Sequence, residues 1–259
     1  MKRELHLLFT AIMFYTRIPV PRWVDHDANN LNAATRYFPL VGYIVAIVSW
    51  LTYIVCRHLF SVEISVIMSV LAGVLLTGAF HEDGLADVCD GFGGGWTKEK
   101  ILSIMKDSRV GTYGVIGLIF ILSLKFFSLV QLGSSIYSLY FGLVLLVAHS
   151  LSRVAAVFII YTSIYAREDA DSKAKPVAQQ LSIGNLLLAS IWAILPIAAL
   201  VYLNAIFLLI VVPVMCITLY LRWYFRKWIG GYTGDCLGAT QQLNEVIIYL
   251  SLLAIWRFM

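Results

Sequence analysis

The chain has 259 residues, 60% hydrophobic and 13% charged, with a mean hydropathy of +0.83. Soluble domains average about 45–50% apolar and about 25% charged residues, so a water-soluble globule is excluded. The net charge of +4, from 19 Lys+Arg against 15 Asp+Glu, is too small and too unevenly placed for a nucleic-acid footprint, and instead reports membrane orientation.

The N-terminal stretch carries Leu5, Leu8, Phe9 and Ile12 at i, i+3, i+4 and i+7 behind Lys2 and Arg3. That pattern predicts an amphipathic helix lying in the membrane interface. A secretory signal peptide is the competing reading, but no A-x-A cleavage site follows and Pro19 and Pro21 end the run directly.

A spanning helix needs about 20 mostly apolar residues, because a hydrocarbon core about 30 Å thick offers no water to unpaired backbone groups. The sequence predicts spans at Phe38–Val55, Val62–Phe80, Gly111–Leu132, Tyr137–Tyr161, Gly184–Leu203 and Ala205–Leu221. A seventh, Val246–Trp256, has only 11 residues and spans only if its helix begins near Leu237. The expectation is therefore an all-α, polytopic membrane bundle of about seven transmembrane helices plus the interfacial helix. No repeat, low-complexity tract or linker divides residues 1–259, which read as one integral membrane catalytic domain.

With the N-terminus inside, the segments 1–37, 81–110, 162–183 and 222–236 hold five, four, three and three Lys+Arg, against Arg57 and Arg257 on the opposite face. This is a strong positive-inside bias. Lys125 and Arg153 fall within spans. Lys125 lies toward the outer half of its helix and is expected to snorkel, whereas Arg153, near His149, Ser150 and Ser152, is expected to face a site. Cys56, Cys89, Cys216 and Cys236 are widely separated, with neither disulfide nor zinc spacing.

The richest stretch is Phe80-His81-Glu82-Asp83-Gly84-Leu85-Ala86-Asp87-Val88-Cys89-Asp90-Gly91. If the second helix continues through it, Asp83, Asp87 and Asp90 share one face at i, i+4 and i+7. Three such carboxylates repel one another, so a cation belongs among them. Oxygen ligands favour Mg²⁺, Mn²⁺ or Ca²⁺, and Mg²⁺ is usually shared with substrate phosphates, which points to a diphosphate. The plainer alternative is a solvated helix end paired with Lys98, Lys100 and Lys106. The run Gly91-Phe92-Gly93-Gly94-Gly95 must bend or end the helix, and it lacks the Lys-Ser/Thr of a Walker A loop.

Beyond it, Lys106-Asp107-Ser108-Arg109-Val110-Gly111-Thr112 offers Arg109 as a bidentate phosphate clamp or as a positive-inside anchor. Gly230-Gly231-Tyr232-Thr233-Gly234-Asp235-Cys236 enters the last helix, with Asp235 a plausible N-cap. The basic-residue topology puts this loop on the membrane face that bears Asp83, so the two acidic motifs point to one site. Gln241, Gln242, Asn244 and Glu245 follow, which makes the start of the last helix the lining of a polar cavity.

The block from Phe80 to Gly91, Asp107-Ser108-Arg109-Val110-Gly111-Thr112 and Gly230-Gly231-Tyr232-Thr233-Gly234-Asp235 resemble the signature blocks of the cobalamin synthase family, the adenosylcobinamide-GDP ribazoletransferases of bacteria and archaea. Thr16-Arg17-Ile18-Pro19-Val20-Pro21 and Phe38-Pro39-Leu40-Val41-Gly42 resemble its N-terminal blocks, so the likeness runs from about residue 7 to 248. Glu82 stands at a variable position of the motif.

The resemblance implies an Mg²⁺-using enzyme of the bacterial or archaeal cytoplasmic membrane. A ribose hydroxyl of α-ribazole, or of its 5'-phosphate, would attack the cobinamide-side phosphate of adenosylcobinamide-GDP and release GMP. Such transfer is mainly positioning and charge neutralisation. On that basis Asp83, Asp87 and Asp90 hold one or two Mg²⁺, with Asp235 completing the site. Arg109 and Arg153 clamp phosphate, Thr233 and Asp235 contact substrate, and His81 accepts the hydroxyl proton or is merely a supporting residue. Further expected partners are membrane lipid and, as an open option, a second copy of the chain; nucleic acid is not among them.

Two rivals are a CDP-alcohol phosphotransferase and a transporter. The first needs D-x2-D-G-x2-A-R, and Asp87 follows Ala86 where the arginine is required. The second should show two related halves with broken helices, and no such symmetry is visible.

Overall fold

The computed structural model describes residues 2–24, 28–167 and 181–258, and among them every regular element is a helix. Helix α1 (Lys2–Tyr15) buries Leu7, Ala11, Ile12 and Tyr15 against the protein and turns Leu5 outward, so of the predicted apolar face only Ile12 is buried. A short α2 (Ala28–Ala34) and a 3-10 turn (Thr35–Tyr37) lead into α3 (Phe38–Arg57), which starts with Pro39 in its first turn, where the missing N–H is harmless.

The predicted span Val62–Phe80 is broken. Helix α4 (Val62–Thr77) stops at Gly78 and α5 (Phe80–Gly94) leaves it at 87°. The cause is local: Gly78 (φ +66°) and Ala79 (φ +58°) are both left-handed, and such residues end a right-handed helix. Ala79 pays a steric penalty there that glycine would not, a backbone strain typical of functional sites. The acidic motif is thus carried on a separate arm, off the line of the α4 span.

Thr97 caps the short α6 (Lys98–Ile104), which leads to α7 (Thr112–Ser135) and, through a tight reversal, α8 (Ser138–Thr162). Helix α9 (Ile183–Leu203) is followed by a 3-10 turn (Ala205–Ile210) and α10 (Val211–Ile229), and the chain closes with α11 (Gly234–Arg257). The last helix does begin well before Val246, and its early polar residues Gln241, Gln242, Asn244 and Glu245 are all buried in protein.

Helix α8 is the central post, with 78% of its apolar stretch inside the protein against 28% for α7 and α9. Helices α3, α9 and α11 pack on it, and α5 lies between α11 and α7. Outward rows such as Ile119, Phe120 and Phe127 on α7 and Leu187, Ile191 and Ile194 on α9 stay exposed. Surfaces that apolar need a lipid cover, and this is an integral membrane protein. Five helices are long and apolar enough to cross, or six if the bent α4–α5 pair counts as one. Helix α11 is long enough but too polar to add to them, so seven spans are not established.

Candidate active site

The arm α5 and the start of α11 meet at very close range. A Cβ on Gly84 would lie 3.0 Å from the carbonyl oxygen and 3.1 Å from the Cα of Asp235, so any larger residue would force the two backbones apart by a few tenths of an ångström. Asp83 is exposed, Asp87 half-buried on the next turn, and Asp235 opens α11 opposite them. The Asp87 carboxyl is pushed up to about 7, first by burial and then by the neighbouring charges of Asp235 and Asp83. Burial likewise raises Asp235, against the pull of Arg167. Three carboxylates from two elements therefore crowd into one electrostatic unit.

The N-cap of α11 is Thr233, not Asp235: Thr233 Oγ1 accepts from the Cys236 N–H (3.4 Å) and donates to Asp235 Oδ2 (3.2 Å). Asp235 is thereby left to point at α5. Its cation is Arg167, whose Nη2 lies 2.9 Å from Asp235 Oδ2. Arg167 is held there by a small backbone pairing, in which the Ala166 N–H donates to Tyr232 O and the Tyr232 N–H to Ile164 O, each at 2.9 Å. Nothing in the local sequence around Arg167 announces this, because the signal lies in a pairing between distant loops. Among the described residues, no ion pair ties Lys98 or Lys100 to the acids of α5.

Asp90, expected beside Asp83 and Asp87 as a ligand, is turned elsewhere. Its two oxygens accept from the Gly111 N–H (2.6 Å) and the Gly114 N–H (2.8 Å), closing the N-terminus of α7. Arg109 stands at the surface, its side chain 87% exposed and paired with Asp107 at 2.6 Å, which holds the Asp107 carboxyl below its usual range. Arg153, expected to clamp phosphate, is instead 1% exposed inside the bundle, donating to His149 O (2.8 Å) and covering the Phe38 ring. His81 is buried and stacked on Phe38 at 5.6 Å, and Tyr15 stacks on the same ring at 4.0 Å.

Lys125 does not snorkel: it is 4% exposed and ion-paired to Glu245 at 3.1 Å, because α11 presents a carboxylate at its depth. The segment 162–183, counted for its basic residues, lies largely outside the described residues.

Among the described residues no three His, Cys, Asp or Glu side chains form a ready metal cage. The donor set still fits Mg²⁺. Asp83, Asp87 and Asp235 supply hard oxygens under mutual repulsion, and Mg²⁺ commonly takes one or two carboxylates and completes its shell with water and phosphate oxygens.

An apolar helix bundle with an acidic, glycine-flanked cluster on a broken helix defines a class, the polytopic membrane proteins that carry a polar site. The comparisons narrow it. Residues 7–253 match the family described as cobalamin-5-phosphate synthase. Proteins named adenosylcobinamide-GDP ribazoletransferase are similar over nearly their whole length: one from Shewanella piezotolerans is 45% identical, covering 98% of this chain and 97% of its own, and one from Shewanella frigidimarina is 46% identical, covering 98% and 96%. No solved structure matches. The chain belongs to the cobalamin-5-phosphate synthase family, which sets aside the CDP-alcohol phosphotransferase and transporter readings.

Proposed function

We propose that this protein is an Mg²⁺-dependent adenosylcobinamide-GDP ribazoletransferase that completes the nucleotide loop of cobalamin. The observation that carries the reading is the convergence of Asp83 and Asp87 on α5 with Asp235 on α11 beside Arg167. A ribose hydroxyl of α-ribazole, or of its 5'-phosphate, attacks the phosphorus on the cobinamide side of the diphosphate. The new P–O bond forms as the bond to the bridging oxygen breaks, GMP departs, and the hydroxyl proton passes to a base, for which His81 at the root of the arm is the proposed acceptor.

Bound Mg²⁺ would neutralise the diphosphate and polarise the P–O bond under attack. Asp83, Asp87 and Asp235 would hold it. Asp90 fixes the arm to α7, which limits drift of Asp87 one turn earlier. Arg167 lies near enough to Asp235 to meet a phosphate oxygen, and Thr233 keeps the Asp235 carboxylate oriented. Arg109, at the exposed start of α7, can reach a phosphate outside the acidic cluster by leaving Asp107. Arg153 supports the arm from within. The fifteen-to-two distribution of basic residues supports a site on the cytoplasmic side of a bacterial or archaeal membrane.

The test is purified protein in detergent with adenosylcobinamide-GDP, Mg²⁺ and either α-ribazole or its 5'-phosphate, scored for GMP and the joined corrinoid. Product charge tells which acceptor is used. Asp87→Asn is expected to abolish GMP release in protein that remains folded, and near-normal turnover would overturn the reading.

A further inference from the structure

We infer that a buried chain of polar contacts, from Glu245 on α11 through Lys125 and Gln242 to Glu82 on α5, is a positioning device that docks the acidic arm. Each link is explicit. Glu245 is 2% exposed and accepts from Gln241 Nε2 (2.6 Å) and the Tyr249 hydroxyl (3.1 Å), in addition to its 3.1 Å ion pair with Lys125. Lys125 Nζ also donates to Gln242 Oε1 (2.8 Å), and Gln242 Nε2 donates to Glu82 Oε1 (2.9 Å). Glu82 is the residue immediately before Asp83.

Stability does not account for this chain, since buried ion pairs replaced by well-packed apolar side chains often leave proteins as stable or more so. Ionisable residues inside a membrane bundle default to a functional role. Here the contacts come from three separate helices and end on the arm. Glu82 Oε2, His81 Nε2 and Arg153 Nε are buried without a hydrogen-bond partner and line one cavity with Lys125 and Glu245, so directed polar bonds at the root of the arm act beside the apolar packing of Leu85 on Ile121, Ala239 and Val246. A device of this kind fixes orientation more than it adds affinity. Lys125, Gln242, Glu245 and Glu82 are thus positioning residues for the carboxylates proposed above, and the inference rests on that reading.

Cys89, on the arm, gives a readout that needs no substrate. It is half-buried, its Sγ packed where Gly117 of α7 leaves room, and Cys236 is fully buried. In a Cys56→Ser/Cys216→Ser background, alkylation of Cys89 by N-ethylmaleimide is followed by peptide mass spectrometry, alongside kcat and KM for adenosylcobinamide-GDP. Gln242→Leu is expected to speed Cys89 alkylation and lower kcat, each by about tenfold or more, the factor for one lost buried hydrogen bond to a charged group, with KM changed less than about twofold.

The exchange Glu82→Gln/Gln242→Glu keeps the volume and one hydrogen bond between the two positions, and is expected to restore slow alkylation and most of kcat. A parent-like Cys89 rate in Gln242→Leu overturns the inference. If Gln242→Leu does not fold, the exchange decides: fast alkylation with low kcat in the folded exchange variant overturns it. If the parent itself shows no transferase activity while Gln242→Leu still speeds Cys89 alkylation, the functional reading is refuted and the docking role stands.

Discussion

Replacing Asp90 by asparagine separates the role written in the motif from the role seen in the fold. Both carboxylate oxygens of Asp90 accept backbone N–H groups of the first turn of α7, at 2.6 Å from Gly111 and 2.8 Å from Gly114. Hydrogen bonds to an ionised acceptor are worth ~1.5–3 kcal/mol each. Asparagine keeps one acceptor and turns an NH₂ toward the second N–H, so one bond is lost and two donors face each other. Loss of the negative charge at a helix N-terminus adds ~0.5–1 kcal/mol, for a total of ~3 kcal/mol. At about 2–4 °C per kcal/mol for a domain of this size, the melting temperature falls by about 6–12 °C. The assay is thermal unfolding of the detergent-solubilised protein, paired with GMP release titrated against Mg²⁺. The expected result is a lower melting temperature with the half-saturating Mg²⁺ concentration held within about twofold. An unchanged melting temperature together with a tenfold rise in the Mg²⁺ requirement would refute the anchoring argument and return Asp90 to the ligand set.

Gly84→Ala pushes a methyl against the Asp235 backbone at 3.0–3.1 Å; the strain of ~1–3 kcal/mol should appear in unfolding curves, and the displaced carboxylates should slow GMP release by about tenfold. Lys125→Met strands Glu245 inside the bundle and should destabilise by ~3–5 kcal/mol, whereas Lys125→Met/Glu245→Gln should recover at least half of that loss in the same denaturation assay. Arg167→Gln removes a positive charge from Asp235, so the half-saturating Mg²⁺ should fall several-fold while KM for adenosylcobinamide-GDP rises about tenfold; the opposite pair of changes would deny Arg167 contact with the diphosphate.

How far the chain could be read in one dimension depended on the distance over which each signal acts. Apolar runs located α3, α7, α8 and α9 to within a few residues, because burial in lipid acts on every residue of a span. The polar start of α11 was legible for the same reason inverted: Gln241, Gln242 and Glu245 have no place against lipid. The break before α5 was hidden, since Gly78 is one of two glycines in an apolar stretch, Gly73 stays helical, and Ala79 gives no warning of a left-handed backbone. Spacing along a helix says which face Asp90 leaves from, but not that the first turn of α7 waits there to be closed by its carboxylate. Lys125 and Arg167 were invisible as members of networks, their partners being Glu245 and Asp235, remote in sequence and adjacent only once the helices pack.

The double left-handed turn at Gly78 and Ala79 also bears on how the chain enters its bilayer. A straight continuation of α4 would fuse an apolar run to Glu82, Asp83, Asp87 and Asp90 as one rigid rod, and any vertical slip of that rod would drag carboxylates into hydrocarbon. The corner uncouples the two. Helix α4 settles at the depth its own greasy residues dictate, while the charged limb is free to fold back later, once α7 and α11 have arrived to receive it. Because Asp235 comes from the C-terminal helix, a nascent chain lacking α11 has scaffolding but not the full carboxylate set of the site proposed above.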